Sequence, residues 1–216
     1  MKVRIFSATL AALTLHVAGA GAAPSQGPKI AGHLTAYTTK AICTTAAPKP
    51  PCNPGETHLV TQGSLNTAYN LYLVVLDGDS STGVAGAAFG VDYNGTAGAG
   101  MDAYSWTLCA DAQYSAGPSG VAWPEPGSGN LIVWEKNNKC QQTSASGDAD
   151  GGVIAVLGSL YVYAYSADLF SITKRNYANI PDLGVANCVG DQFQVDYPNA
   201  VGKVGFGTTQ GVDPCQ

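Results

Sequence analysis

Six cysteines constrain this chain more than any other feature of it. Cys43, Cys52, Cys109, Cys140, Cys188 and Cys215 all lie beyond residue 23, and none precedes it. An even cysteine count behind an export signal reads as a disulfide framework, because thiols oxidise and stay oxidised outside the cytosol. Six cysteines allow fifteen pairings, and sequence alone does not choose among them. The expected pairing is sequential: Cys43–Cys52, Cys109–Cys140 and Cys188–Cys215. Cys43 and Cys52 flank the rigid Pro48-Lys49-Pro50-Pro51 loop, Cys109 ends one predicted strand, and Cys140 follows another. A metal site is the rival reading and fails on spacing. The chain has no Cys-x-x-Cys, and beyond the export signal its only histidines are His33 and His58. No metal and no cofactor is expected.

The export signal is read from Lys2 and Arg4, the apolar run from Ile5 to Val17, and the small-residue sites Ala18-Gly19-Ala20 and Ala20-Gly21-Ala22. The run is shorter than the roughly 20 residues of a membrane span, and no second one follows. The expectation is a cleavable signal peptide over residues 1–22, a flexible lead over 23–29 and a single domain over 30–216. This implies a secreted or cell-surface location, with no membrane association after cleavage. Without Lys2 and Arg4, eight basic residues face fifteen acidic ones, a net charge of −7, and Arg175 is the one arginine left. Phosphate neutralisation needs clustered cations, so a nucleic-acid partner is excluded. An anionic membrane surface is disfavoured for the same reason.

Apolar periodicity is mostly two. Leu71 to Leu76 is a nearly continuous apolar run ending at Asp77-Gly78-Asp79, which reads as a buried strand and a turn. Ala87, Phe89, Val91 and Tyr93 alternate up to Asn94-Gly95, a strong hairpin-turn signal. Further strands are predicted from Ile30 to Thr38, Ser105 to Cys109, Leu131 to Trp134, Val153 to Ser166 with a bend at Gly158, Phe193 to Val195, and Val204 to Phe206. Ala167 to Ile172 is read as one short helical turn. About eight or nine strands with turn signals between them predict an all-β, antiparallel β-sandwich stapled by disulfides.

The order of Cys109-Ala110-Asp111, Trp123-Pro124, Asn130 to Trp134, Leu160 to Tyr165, Val185 to Cys188 and the tail Val204-Gly205-Phe206-Gly207 to Pro214-Cys215 resembles a family of uncharacterised exported bacterial proteins. That family ends in a Gly-Phe-Gly…Pro-Cys signature. The resemblance implies a secreted β-sandwich and carries no activity with it. A looser resemblance, through Tyr69 to Leu76, Val84 to Tyr93 and Ile154 to Tyr165, is to cohesin-like and carbohydrate-binding sandwiches. A cohesin would imply a partner module.

Catalytic motifs are missing: there is no Gly-x-Ser-x-Gly elbow and no His-Glu-x-x-His. Asp77-Gly78-Asp79 and Asp148-Ala149-Asp150-Gly151 lack the third oxygen ligand and later Glu of a calcium loop, and read as solvated turns. Aromatic side chains are the better candidates. Trp123, in the turn-rich Ala122 to Gly127 stretch, reads as exposed, and with Tyr104 and Tyr114 it forms a candidate glycan-stacking set. Tyr161, Tyr163 and Tyr165 share one strand face by period two. They are a candidate interface, Tyr being enriched there. The leading function is therefore a non-enzymatic extracellular or cell-surface module with a structural, adhesive or assembly role. Its partner is a glycan, a protein or a second copy of itself. A carbohydrate-binding module is the alternative, and a secreted hydrolase stands third.

Overall fold

The computed structural model describes residues 27–37, 43, 52, 59–116, 121–142, 152–176 and 183–215. The predicted export signal, His58, the Pro-rich residues 48–51 and the acidic residues 148–151 lie outside them. No helix occurs among the described residues. There are twelve strands: β1 (Lys29–Ala36), β2 (Gln62–Gly63), β3 (Ala68–Gly78), β4 (Gly86–Asp92), β5 (Met101–Leu108), β6 (Ala112–Ala116), β7 (Gly129–Val133), β8 (Val153–Ala164), β9 (Asp168–Thr173), β10 (Gly184–Ala186), β11 (Gln192–Gln194) and β12 (Lys203–Phe206). The predicted strands are present. The predicted helical turn after the longest strand is instead β9, whose Phe170 and Ile172 point into the core while Leu169 and Ser171 alternate outward.

The strands form two sheets. Sheet A has the order β1-β3-β8-β5 and is antiparallel throughout. Sheet B runs β11-β10-β4-β9-β12-β2, with β7 on the other edge of β4 and β6 beyond it. Its one parallel pairing is β12 with β2. Gly90 pairs with both Gly129 and Thr173, while Gly86 to Ala88 pair with β7 and with β10. Hence β9 and β10 follow one another along the same edge of β4 in one strand line.

Inward side chains of both sheets make the core. Ile30, Leu71, Leu73, Val75, Leu157, Leu160 and Val162 from sheet A meet Phe89, Val91, Ile132, Phe170, Val204 and Phe206 from sheet B. The centre of sheet A is buried on its other face too. There Ala31, Tyr72, Val74, Leu76, Ile154 and Val156 pack with Leu59, Cys52 and Cys215. This explains why Leu71 to Leu76 carries no polar alternation: both faces of the strand are dry. At its end Lys29 Nζ meets Asp77 Oδ2 at 2.6 Å, and both residues are buried. Asp77 therefore belongs to β3 and to a buried ion pair, not to the solvated turn expected.

The disulfides are Cys43–Cys109, Cys52–Cys215 and Cys140–Cys188. None of the sequential pairs forms. Cys43 and Cys52 are not tied to each other. Each is tied to a distant element, Cys43 to Cys109 just past β5 and Cys52 to Cys215 past β12. Cys140–Cys188 joins the stretch after β7 to the stretch after β10 across Gly83, where a Cβ would stand 2.4 Å from Cys140 Sγ and φ is +68°.

Sheet A carries three register shifts, one of them between Val75 and Gly78 at the end of β3, and the other two reshape its outer face. Leu73 pairs with Gly158 and Val74 with Val156, so Leu157 is an extra residue in β8. Tyr104 pairs with Tyr161 and Trp106 with Leu160, so Ser105 is extra in β5. Each bulge reverses which parity faces inward. In β8, Val153, Ala155 and Leu157 face the core before the bulge, and Leu160, Val162 and Ala164 after it. Ser159, Tyr161 and Tyr163 are thereby turned outward. Gly158 is required at this point, because a Cβ there would lie 2.3 Å from Trp106 Cη2 and 2.6 Å from the Thr107 carbonyl. Gly158→Ala is expected to destabilise by about 1–3 kcal/mol through overpacking, read as a lower urea midpoint with a shift in indole emission. Replacing both Cys52 and Cys215 by Ser is expected to cost about 2–5 kcal/mol, measured the same way under non-reducing conditions.

Candidate functional site

The outward parity of β8 creates a tyrosine face on sheet A. Tyr161 and Tyr163 project from β8 and Tyr165 from the residue just past it. Tyr104 joins from β5, and Tyr37 from the residue after β1. Tyr37 meets Tyr161 edge-on with ring centroids 4.7 Å apart. Tyr104 lies 5.3 Å from Tyr161, and Tyr163 lies 4.8 Å from Tyr165. Tyr37, Tyr104 and Tyr165 stay 46%, 42% and 40% exposed, so the rings are ordered by one another without being sealed. The Tyr104 hydroxyl is 3.0 Å from Asp102 Oδ2, which can only accept, so Tyr104 donates there. The Tyr165 hydroxyl, 3.2 Å away, therefore donates to Tyr104. Hydrogen bonding to Tyr165, and next to Asp102, pushes the Tyr104 phenol well above its ordinary range, so it stays neutral. The set Tyr161, Tyr163 and Tyr165 expected on one face is thus brought together, with Tyr104 added to it.

Between these rings and the apolar cluster, the face opens into a depression of about 380 Å³. Tyr37 and Tyr161 supply its aromatic side, and Trp106 borders it from β5 while its ring is turned to the core-facing side of the sheet, against Trp123. Asn70, Ser105, Thr107 and Ser159 supply polar groups between them. Ser159 is 1% exposed, and its Oγ has no hydrogen-bond partner among the described residues. Trp106 is held by Nε1 donating to Gln113 Oε1 at 2.7 Å, and its ring lies across the bare backbone of Gly158.

The candidate glycan set is dispersed. Trp123 is not exposed as expected: its ring packs edge-on against Phe89 at 5.6 Å and Trp106 at 5.3 Å, and its Nε1 is buried. Tyr114 is 58% exposed but sits on β6 in sheet B. Tyr104 alone of the three reaches the tyrosine face. Tyr37 and Ser159 were not readable as site residues. Tyr37 lies far from β8 in sequence, and Ser159 owes its direction to the bulge.

Other polar groups have structural roles. His33, buried on β1, accepts the Val60 amide on Nδ1 at 3.0 Å, so that nitrogen is committed to the chain segment that crosses it. Burial lowers its pKa, opposed by the charge of Asp213. Asp168 accepts from the Met101 amide at 2.8 Å and from the Asn94 amide, which fixes the β4–β5 turn. Asp102 and Glu125 line a shallow depression of about 200 Å³ with Tyr93 and Tyr104. No group of three or more His, Cys, Asp or Glu among the described residues could hold a metal ion. No helix among them is long and apolar enough to cross a membrane.

No protein-family model matches the chain, and no curated protein matches it. Among solved structures it is similar to the cohesin module of a family 33 glycoside hydrolase from Clostridium perfringens, at 10% identity over 82% of this chain and 95% of that one, with a TM-score of 0.42. It is also similar to the sixth cohesin of scaffoldin B from Acetivibrio cellulolyticus, solved with a Cel5 dockerin, at 10% identity over 83% and 97% and a TM-score of 0.46. A type II cohesin domain from the cellulosome of the same organism gives 10% identity over 86% and 94% and a TM-score of 0.43.

His33 yields a pH prediction with a definite sign. Its folded pKa lies below the ordinary imidazole range, because burial favours the neutral ring. The stability it contributes is present above the unfolded value and is lost as pH falls through the lowered folded one. Urea midpoints are expected to drop on acidification in that window. His33→Asn, which offers Val60 an acceptor that does not titrate, is expected to flatten the drop.

Proposed function

We propose that the protein is a non-enzymatic extracellular adhesion or assembly module that docks through the tyrosine face of sheet A. The observation that carries this is the cluster of Tyr104, Tyr163 and Tyr165, half-exposed on a sheet whose other side is core. Tyrosine offers a large amphipathic contact with two side-chain torsions, so little freedom is lost on docking. A cluster pre-ordered by ring contacts and a hydroxyl chain loses still less. Secretion or surface display is supported by the pairing of all six cysteines in three disulfides. The chemistry at hand also favours binding over turnover. Phenols, a neutral depression and a histidine engaged with the backbone offer contacts, and they bring no nucleophile beside a free base.

A second copy of the chain is the first partner to test. Sedimentation velocity of the oxidised protein, from micromolar to millimolar, is expected to show concentration-dependent association. In Tyr163→Ser/Tyr165→Ser that association is expected to be about tenfold weaker, in keeping with the loss of central aromatic contacts. A monomer at every concentration removes self-assembly and leaves adhesion to another molecule. Turnover of a polysaccharide substrate by the purified protein would overturn the non-enzymatic reading.

A further inference from the structure

Where β3 ends and β10 turns into β11, the sheets part around a cavity of about 290 Å³. Sheet A supplies Asp77 and Gly78 to it, and sheet B supplies Val185 and Phe193. It shares no residue with the tyrosine face. Its walls are held in place by their own bonds. At one lip the Tyr197 hydroxyl lies 2.7 Å from both the Gly27 and the Pro28 carbonyl. At another, Asn187 Oδ1 accepts the amides of Val189, Gly190 and Asp191. The Cys140–Cys188 bridge stands against Gly83, a third part of the wall. A cavity set this way is formed before anything enters it, which lowers the cost of binding.

Asp77 is the decisive residue. It is 8% exposed, and its backbone is held in the left-handed region at φ +58°. Its Oδ2 takes the Lys29 ammonium at 2.6 Å. Its Oδ1 accepts no hydrogen bond from any described residue and is not sealed from solvent, so it opens on the cavity. A nearly buried carboxylate oxygen left bare calls for a donor. Asp79 stands at the rim, where the Ser81 hydroxyl and amide hold its carboxyl below the usual range and keep it ionised. Two carboxylates thus border the cavity and Lys29 answers one of them. Among the described residues no Lys, Arg or His lines it. From the other sheet comes Phe193, 39% exposed on a strand whose other two residues are glutamines. Its register with the core residue Val185 turns it to the inner side of sheet B, toward the cavity. The site is short of one positive charge and offers that charge an aromatic plane. A guanidinium fits both, being planar, weakly hydrated and rich in donors.

We propose that this cavity receives the guanidinium of an arginine side chain presented by a protein partner, which donates to Asp77 Oδ1 and lies with its plane against Phe193. In naming a protein partner this rests on the docking reading above. The two sites have no residue in common, so each can fail without the other.

The test is a titration of the oxidised full chain with N-acetylarginine N-methylamide into the millimolar range, followed by amide and aromatic NMR shifts. Saturable shifts at Gly78, Gly83 and the Phe193 ring are expected. The citrulline analogue, of the same shape without the charge, is expected to bind about tenfold more weakly, as befits the loss of a charge-assisted hydrogen bond. Free arginine is expected to bind more weakly than the blocked form, because its own carboxylate meets Asp79. Phe193→Leu is expected to weaken binding about threefold. Asp77→Asn keeps a residue that tolerates the left-handed backbone and is expected to abolish the shifts, but it also strips Lys29 of its counter-charge. Asp79→Asn is therefore the second variant: it keeps an acceptor for the Ser81 amide, removes the charge, and is expected to bind about threefold more weakly. No saturable shift at the cavity, citrulline binding as tightly as arginine, or wild-type binding by both Phe193→Leu and Asp79→Asn would each overturn the site. Tighter binding of free arginine than of the blocked form would overturn the protein partner. The sedimentation result for Tyr163→Ser/Tyr165→Ser stands apart from all of these.

Discussion

A backbone ladder sealed from water on both faces has to pair its own amides and carbonyls, since nothing else can. The β3–β8 pair is under that constraint along most of its length. Leu71 to Leu76 is buried on either side, and so is Val153 to Leu157. One side is covered by sheet B and the other by Leu59 and two of the disulfide-tied cysteines. The outer face of sheet A is thus covered at its centre by Leu59 and by the Cys52–Cys215 bridge.

This accounts for the unusual reach of the disulfides. A bridge between Cys43 and Cys52 would have closed a local loop and left it free to swing away from the sheet. Bridges to Cys109 and Cys215 bind the same segment to the far edge of sheet A and to the stretch that follows β12. Proximity in sequence was the only guide available for pairing. It failed because each bridge joins residues that the sheets bring together from distant parts of the chain. His33 is covered from the same side, by the Val60 amide, and trades solvent for one hydrogen bond.

Much of the sandwich was legible because apolar alternation is a direct image of which face is dry. Leu71 to Leu76, Ala87 to Tyr93 and Val153 to Tyr165 all fall within or across strands of the structure. The candidate site was only half legible. Period two put Tyr161, Tyr163 and Tyr165 on a common face, but whether that face was core or surface depended on an extra residue at Leu157. Alternation counts from one side only and cannot register such a reversal. The bend read at Gly158 was the single trace of it. Tyr104 and Tyr37 reach the face across strand pairings that join residues dozens of positions apart. Trp123 failed for the opposite reason. A turn-rich setting made it look solvent-facing, while the open edge between the sheets needed a large ring to close it.

The Cys52–Cys215 bridge has a consequence for how the molecule is made. Cys215 is the last of the six cysteines to be synthesised, and its partner sits 163 residues earlier. Until Cys215 is made, Cys52 lacks its partner, while Cys43 already precedes it and Cys109, Cys140 and Cys188 arrive ahead of that partner. The correct match is set by where the sheets place these residues and not by order of arrival. Oxidation of this pair is thus a late seal on a sandwich whose strands have already found one another.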